Sequence, residues 1–422
     1  MPTGRDLLVV NCGQLLTLRG PTGPRTGRHL SDLGLVRHGA LMIRKGMIVF
    51  AGPQARMGRM SDARRADCLD AQGQVVLPGF VDSHTHALYA APRLDEFVAR
   101  LGGASYEEIA AAGGGIQTSA KKMRAAGDAS LKSHLRMVMH RFLEHGTTTV
   151  EVKSGYGLEI ALERKMLRII EAVRTRVACE LVPTLLIHDV PARFRHARRR
   201  FINLVIQRLI PWAAHERLAV FCDVFCDRGY FSVPEAQRIL HAASRAGLRV
   251  KLHAEQLVHF GSTRMAAALR AVSVDHVDRI KKADMRPLRA AGTIATLLPG
   301  SVFHLDTRPY PPARQLIAAG VPVALATNFN PGSSPTLNMQ MILSLACCQM
   351  RMSPAEAIAA ATINGAHALG VGNRLGSLET GKQADVAIMD VSDYREIPYY
   401  FGMNHCRTVL KKGQVVLSKP IS

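Results

Sequence analysis

Gln74-Val-Val-Leu-Pro-Gly-Phe-Val-Asp-Ser-His-Thr-His86 is the stretch whose reading decides the fold. Its apolar, β-branched run reads as a buried strand, and at its end stand two histidines separated by a single residue. Alternate side chains of an extended segment share a face, so His84 and His86 aim both imidazoles at one point in space. That pattern predicts a metal site. Two neutral imidazoles do not hold a divalent ion alone, so further ligands should arrive from distant strands, with one position left for water.

The chain offers three such donors: His253 in Val250-Lys-Leu-His-Ala-Glu-Gln256, His276 in Val272-Ser-Val-Asp-His276, and Asn328 in Val321-Pro-Val-Ala-Leu-Ala-Thr-Asn328. Each ends a short apolar run, as barrel strands do when they deliver residues to one rim. A lone histidine at a strand end is more often a satisfied core residue; the His-x-His spacing is what reverses that reading here.

Outward from this stretch, strand-like and helix-like segments alternate from about Val75 to Leu369. Helices are expected over 131–144, 160–174, 234–246 and 262–271 and from Pro354 onward, and strands over 147–152, 178–187, 248–253, 272–276 and 323–327. Repeated strand-then-helix units of this length argue for an α/β fold, a (β/α)8 barrel of the TIM type with its active site at the C-terminal ends of the strands. Every candidate ligand falls there. The ends read differently: 7–18, 41–49, 385–389 and 407–417 are short β segments punctuated by turn residues such as Lys45-Gly46 and Lys412-Gly413. The expected organisation is therefore residues 1–77 and 369–422 pairing into a small β-sandwich beside a barrel of residues 78–368. The Gly-, Pro- and Arg-rich stretch 21–28 reads as an exposed loop.

Composition bounds the class. A chain of 422 residues that is 47% hydrophobic and 21% charged buries a large core. No apolar run reaches the roughly 18 residues of a membrane helix, and the apolar stretch after Met1 is too short for the core of a signal peptide. Eight scattered cysteines, without a second pair at zinc-ribbon spacing, read as reduced thiols of a cytoplasmic protein. The net charge of +21 suggests nucleic acid, but the densest patch, Arg193-Phe-Arg-His-Ala-Arg-Arg-Arg-Phe201, leads into a helical pattern and reads as a solvated face. With aromatic residues at 5% and no nucleic-acid module evident, the positive field is better suited to drawing in a small anionic substrate.

The segments Pro78-Gly-Phe-Val-Asp-Ser-His-Thr-His86, Arg93, Ala112-Gly-Gly-Gly-Ile116, His145-Gly-Thr-Thr-Thr-Val-Glu-Val-Lys-Ser-Gly-Tyr-Gly157, Asp223-Val-Phe-Cys226, His253-Ala-Glu-Gln256 and Asn328-Phe-Asn-Pro-Gly-Ser-Ser334 resemble the imidazolonepropionase family of the amidohydrolase superfamily. The first motif marks the superfamily, whereas 151–158 and 330–334 are narrower, and the likeness runs from Leu7 to Val416. It implies hydrolytic opening of 4-imidazolone-5-propanoate to N-formimidoyl-L-glutamate in histidine degradation, with one divalent metal, zinc or iron. His84, His86, His253 and Asn328 match the metal-binding positions, and Glu255, His276 and Asn328 are the candidates for proton transfer. Arg93 matches the position that clamps the substrate carboxylate, while Tyr156, His188, Gln256, Asn330 and Gly332 match other substrate-binding positions. Strand alternation would turn Glu255 inward together with His253; Gln256 would face inward only if the strand has already ended. A homodimer stays open.

Asn328 departs from the superfamily, which normally places there an aspartate that ligates the metal and takes a proton from the attacking water. An amide offers only a neutral oxygen. Two alternatives follow: a related amidohydrolase acting on another cyclic amide or amidine, or a non-catalytic small-molecule binder on the same fold.

Overall fold

The computed structural model describes residues 6–57, 66–104, 108 and 113–419; residues 1–5 of the N-terminal reading and Ala112 of the 112–116 motif lie outside them. The opening stretch turns out to be two strands in two different sheets. A terminal mixed sheet is built from β1 (Leu7–Leu16), β2 (Leu35–Arg44), β3 (Met47–Pro53), β4 (Asp67–Asp70) and β5 (Val75–Pro78). The chain then crosses at Gly79 into the barrel, whose strands are β6 (Phe80–Asp82), β7 (Thr147–Lys153), β8 (Glu180–Ile187), β9 (Phe221–Cys226), β10 (Arg249–Ala254), β11 (Ser273–His276), β12 (Ile294–Leu297) and β13 (Val323–Leu325). The closing strands β14 (Val386–Met389), β15 (Cys406–Lys411) and β16 (Gln414–Ser418) return to the first sheet, where β14 pairs antiparallel with β5.

Every neighbouring pair from β6 to β13 is parallel. The ring closes beyond the ends of β6 and β13, where Thr85 bridges Phe329 in parallel register. At that seam Asn328 N–H donates to His84 O at 3.0 Å and His86 N–H to Phe329 O at 2.9 Å. His84 and His86 therefore sit past the strand, and the seam keeps their backbone extended enough for both to share a face.

The helix Ile160–Arg174 buries Met166, Leu167, Ile169, Ile170 and Val173, and the helix Val233–Arg245 starts with a capping box between Ser232 and Glu235. Val9, Leu15, Leu41, Ile43, Ile48, Val386, Ile388 and Leu410 give the terminal sheet a core of its own. Lys45-Gly46 and Lys412-Gly413 are tight turns, so 41–49 and 407–417 each divide between two strands.

The 21–28 reading needs correction at its centre. Arg25 is buried: its backbone N–H donates to Asn364 Oδ1 at 2.6 Å, and its guanidinium donates to Pro21 O and Leu18 O, each at 2.7 Å. Among the described residues no helix is long and apolar enough to cross a membrane.

Candidate metal centre

The ring centroid of His84 lies 5.2 Å from that of His86, 4.5 Å from that of His253 and 5.7 Å from that of His276. Ligand atoms of His84, His253 and His276 all lie within 4.8 Å of one another, and His86 Nε2 approaches His253 Nε2 to 3.4 Å. All four imidazoles are buried. Burial, with the Lys153 charge and the neighbouring imidazoles added, holds His84, His86 and His253 well below the usual histidine range. Burial likewise lowers His276 to about 4. Neutral imidazole is the form that ligates.

The ring orientations are set from beneath. His84 Nδ1 donates to Asp275 Oδ2 at 2.6 Å, leaving Nε2 for the centre, and His253 Nδ1 lies 2.9 Å from Asp223 Oδ2. These carboxylates belong to a buried platform. Lys153 Nζ lies 2.7 Å from Asp223, 2.9 Å from Glu151 and 3.7 Å from Asp275, while Lys251 Nζ lies 2.8 Å from Glu151 and 3.5 Å from Asp275. Burial would lower the Lys153 ammonium, but the three carboxylates around it hold it above the ordinary lysine value. Burial would raise Asp275, and Lys251 and Lys153 outweigh it and hold the carboxyl low. Burial pushes the third carboxyl, Asp223, up in spite of Lys153. Three carboxyl groups and two lysine amines thus share one buried platform below the imidazoles.

The donor set fits a divalent metal. His84 Nε2 and Asn328 Oδ1 are buried with no hydrogen-bond partner among the described residues, and an unmatched buried acceptor is costly unless something occupies it. A second cluster, His84, Glu151 and Asp275, already has Lys153 and Lys251 as its cations.

On the rim, His188 follows β8 and stacks on His86 at 5.5 Å; Tyr156 lies 5.7 Å from each of these rings. Arg93 precedes the helix Leu94–Leu101 and lies near enough that, after burial, its charge is the next contribution holding His188 down to about 3. The guanidinium packs against the Asn330–Ser334 loop: a Cβ added at Gly332 would stand 1.5 Å from Arg93 Nη2. Gly332→Ala should therefore displace the fork and raise the Michaelis constant for a carboxylate substrate about 10-fold to 100-fold with metal content unchanged. Steady-state kinetics beside metal analysis check this, and an unaltered constant would put the carboxylate elsewhere.

One residue is placed otherwise than expected. β10 stops at Ala254, and Glu255 takes a left-handed backbone with φ 55°. Its buried carboxylate accepts from Phe260 N–H at 2.7 Å and lies 3.3 Å from Ser262 Oγ and 3.4 Å from Thr263 N and Oγ1. It braces the 260–263 segment instead of facing the imidazoles, because strand alternation ends before reaching it. Asn330 spends its amide inside its own loop, donating to Asn328 O at 2.6 Å and Ser333 Oγ at 2.9 Å and accepting from Gly332 and Ser333 N–H at 2.8 and 2.7 Å. It shapes the loop that presents Gly332. Gln256 is half-buried and has left the strand, its backbone N–H donating to Asp227 Oδ2 at 2.8 Å.

Sequence reasoning assigned no role to Lys153, Lys251, Glu151, Asp275 or Ser301. The available signal was charge inside otherwise apolar strands, at alternate positions in Thr147-Thr-Thr-Val-Glu-Val-Lys153. Ser301 carries no such signal.

Residues 75–416 match the family described as Amidohydrolase family. An imidazolonepropionase of Solibacter usitatus (strain Ellin6076) is 45% identical over 412 residues, spanning 97% of this chain and 98% of that protein. An imidazolonepropionase of Geobacillus kaustophilus (strain HTA426) is 44% identical over 418 residues, 98% of each. Among solved structures, a zinc-bound adenosine deaminase from Xanthomonas campestris has a TM-score of 0.72 at 19% identity, covering 99% of this chain and 94% of that one. A triazine hydrolase from Arthobacter aurescens has a TM-score of 0.74 at 17% identity, covering 98% and 95%. At those identities the structures speak for the fold alone, whereas the full-length relatives speak for the family: the chain belongs to the imidazolonepropionases of the amidohydrolase family.

Proposed function

We propose that this chain hydrolyses 4-imidazolone-5-propanoate to N-formimidoyl-L-glutamate, a step of histidine degradation, using one divalent ion, zinc or iron. The observation that carries the reading is a buried guanidinium, Arg93, seated beside a cluster of neutral imidazoles on one barrel rim. That pairing suits a substrate that joins a carboxylate to a hydrolysable ring. His84, His86, His253 and Asn328 would hold the ion, and imidazole-rich sites accept either metal. When bound, the ion activates water and polarises the ring carbonyl.

The remaining work belongs to the chain. Arg93 receives the propanoate with both prongs of its fork. Tyr156 and His188 border the ring, and Gln256, which cannot accept a proton, is left a binding role. Asn328 is equally unable to take a proton and Glu255 is engaged elsewhere, so we assign proton acceptance to His276, whose neutral ring keeps a lone pair. The eight unpaired cysteines support a reducing, cytoplasmic setting.

The test compares 4-imidazolone-5-propanoate with its uncharged propanamide analogue in the parent and in Arg93→Lys. The parent should favour the propanoate strongly, and Arg93→Lys should raise its Michaelis constant about 10-fold while leaving metal content alone, because an ammonium keeps the charge and loses the fork. Equal turnover of both compounds by the parent would favour a hydrolase of another cyclic amide.

A further inference from the structure

We propose that Ser301 is a positioning residue for Asn328, holding its amide in the orientation that offers oxygen to the metal. This rests on the metal centre described above. Asn328 has little freedom left: its N–H donates to His84 O at 3.0 Å, its carbonyl accepts from Asn330 Nδ2 at 2.6 Å, and its backbone is left-handed at φ 51°, a conformation asparagine tolerates. What remains is which end of the amide faces the imidazoles. The two ends are nearly the same size, but an NH2 aimed at a cation is repelled.

In the structure Nδ2 donates to Ser301 Oγ at 2.6 Å, and Oδ1 is buried with no hydrogen-bond partner among the described residues. Ser301 and Asn328 are each 2% exposed, so neither end of the amide has bulk water to fall back on. Ser301 lies in the first turn of the helix Pro299–Leu305 after β12 and reaches Asn328 because that helix packs closely on the seam: a Cβ on Gly300 would stand 2.7 Å from Ser334 Oγ and 3.4 Å from Thr327 O. A hydroxyl can serve either amide orientation. Its contribution is to give Nδ2 an acceptor in the ligating one; without it, turning the oxygen towards the ion leaves a buried NH2 unmatched. An aspartate at this position would need no such choice, since both of its ends are oxygen. Ser301 thus lets an amide stand where the superfamily places a carboxylate.

A double-mutant cycle read by zinc affinity of chelator-stripped protein tests this, using competition against a chromophoric chelator. Ser301→Ala should weaken zinc binding about 10-fold in the parent, the size expected for one lost hydrogen bond that leaves a buried donor unmatched. In an Asn328→Ala background, where three imidazoles still bind zinc, it should add no more than about 2-fold, because a residue that acts through Asn328 has nothing left to hold. Unchanged affinity in Ser301→Ala alone, or an equal loss in both backgrounds, overturns the proposal while leaving the metal centre standing. A parent that binds no zinc overturns the metal centre, and this inference with it.

Discussion

His84→Ala and His86→Ala should each lose bound metal and turnover together. The two rings enter from one extended segment locked by the barrel seam, so no other donor on that segment can swing in as a replacement. The losses should differ in kind. His84 also donates to Asp275 at 2.6 Å, and its removal leaves a buried carboxylate short of a partner, so His84→Ala should lower thermal stability as well. His86 Nδ1 has no hydrogen-bond partner among the described residues, so His86→Ala should cost mainly metal. Elemental analysis, turnover and melting of the metal-free proteins separate these effects. Full metal occupancy in either variant would contradict the assignment of that ring.

The second large effect is on the fold. Lys153→Met should destabilise the protein by roughly 3–5 kcal/mol, the range for breaking a buried ion pair from one side. Its ammonium is the shared partner of Asp223 and Glu151, at 2.7 and 2.9 Å, and all three side chains are fully shielded from solvent. Methionine fills similar volume, so what is removed is charge. Lys251 still reaches Glu151 at 2.8 Å, which leaves Asp223 the stranded group, and Asp223 also faces His253. A lower urea midpoint should therefore come with disturbed metal retention. An unchanged midpoint would show that the platform contributes little to stability.

How far the sequence can be read depends on whether its signals are local. The His-x-His pair is legible because two-residue alternation is a property of the backbone, and the helix Ile160–Arg174 falls where its apolar periodicity places it. The same rule turns Glu255 inward, yet nothing local announces that β10 stops at Ala254. The charged platform is illegible for a different reason. Glu151 and Lys153 alternate in a strand as solvent-facing residues do, and only closure of the barrel turns that face inward. Arg25 sits in a Gly- and Pro-rich stretch with every mark of a surface loop, yet its anchor is Asn364, far away in the chain. Ser301 depends entirely on tertiary proximity, because helix and seam must approach before the hydroxyl meets the amide.

We propose that a site with an amide at position 328 still opens an imidazolone ring in a metal-dependent way. The direct measurement is turnover of 4-imidazolone-5-propanoate by chelator-stripped protein as zinc or ferrous iron is titrated back, with N-formimidoyl-L-glutamate identified as product. Turnover should be negligible without metal and should rise to a plateau near one equivalent of one of these ions. Stoichiometric binding of both ions with no ring opening would contradict that proposal and leave a metal-binding protein that is not a hydrolase of this substrate.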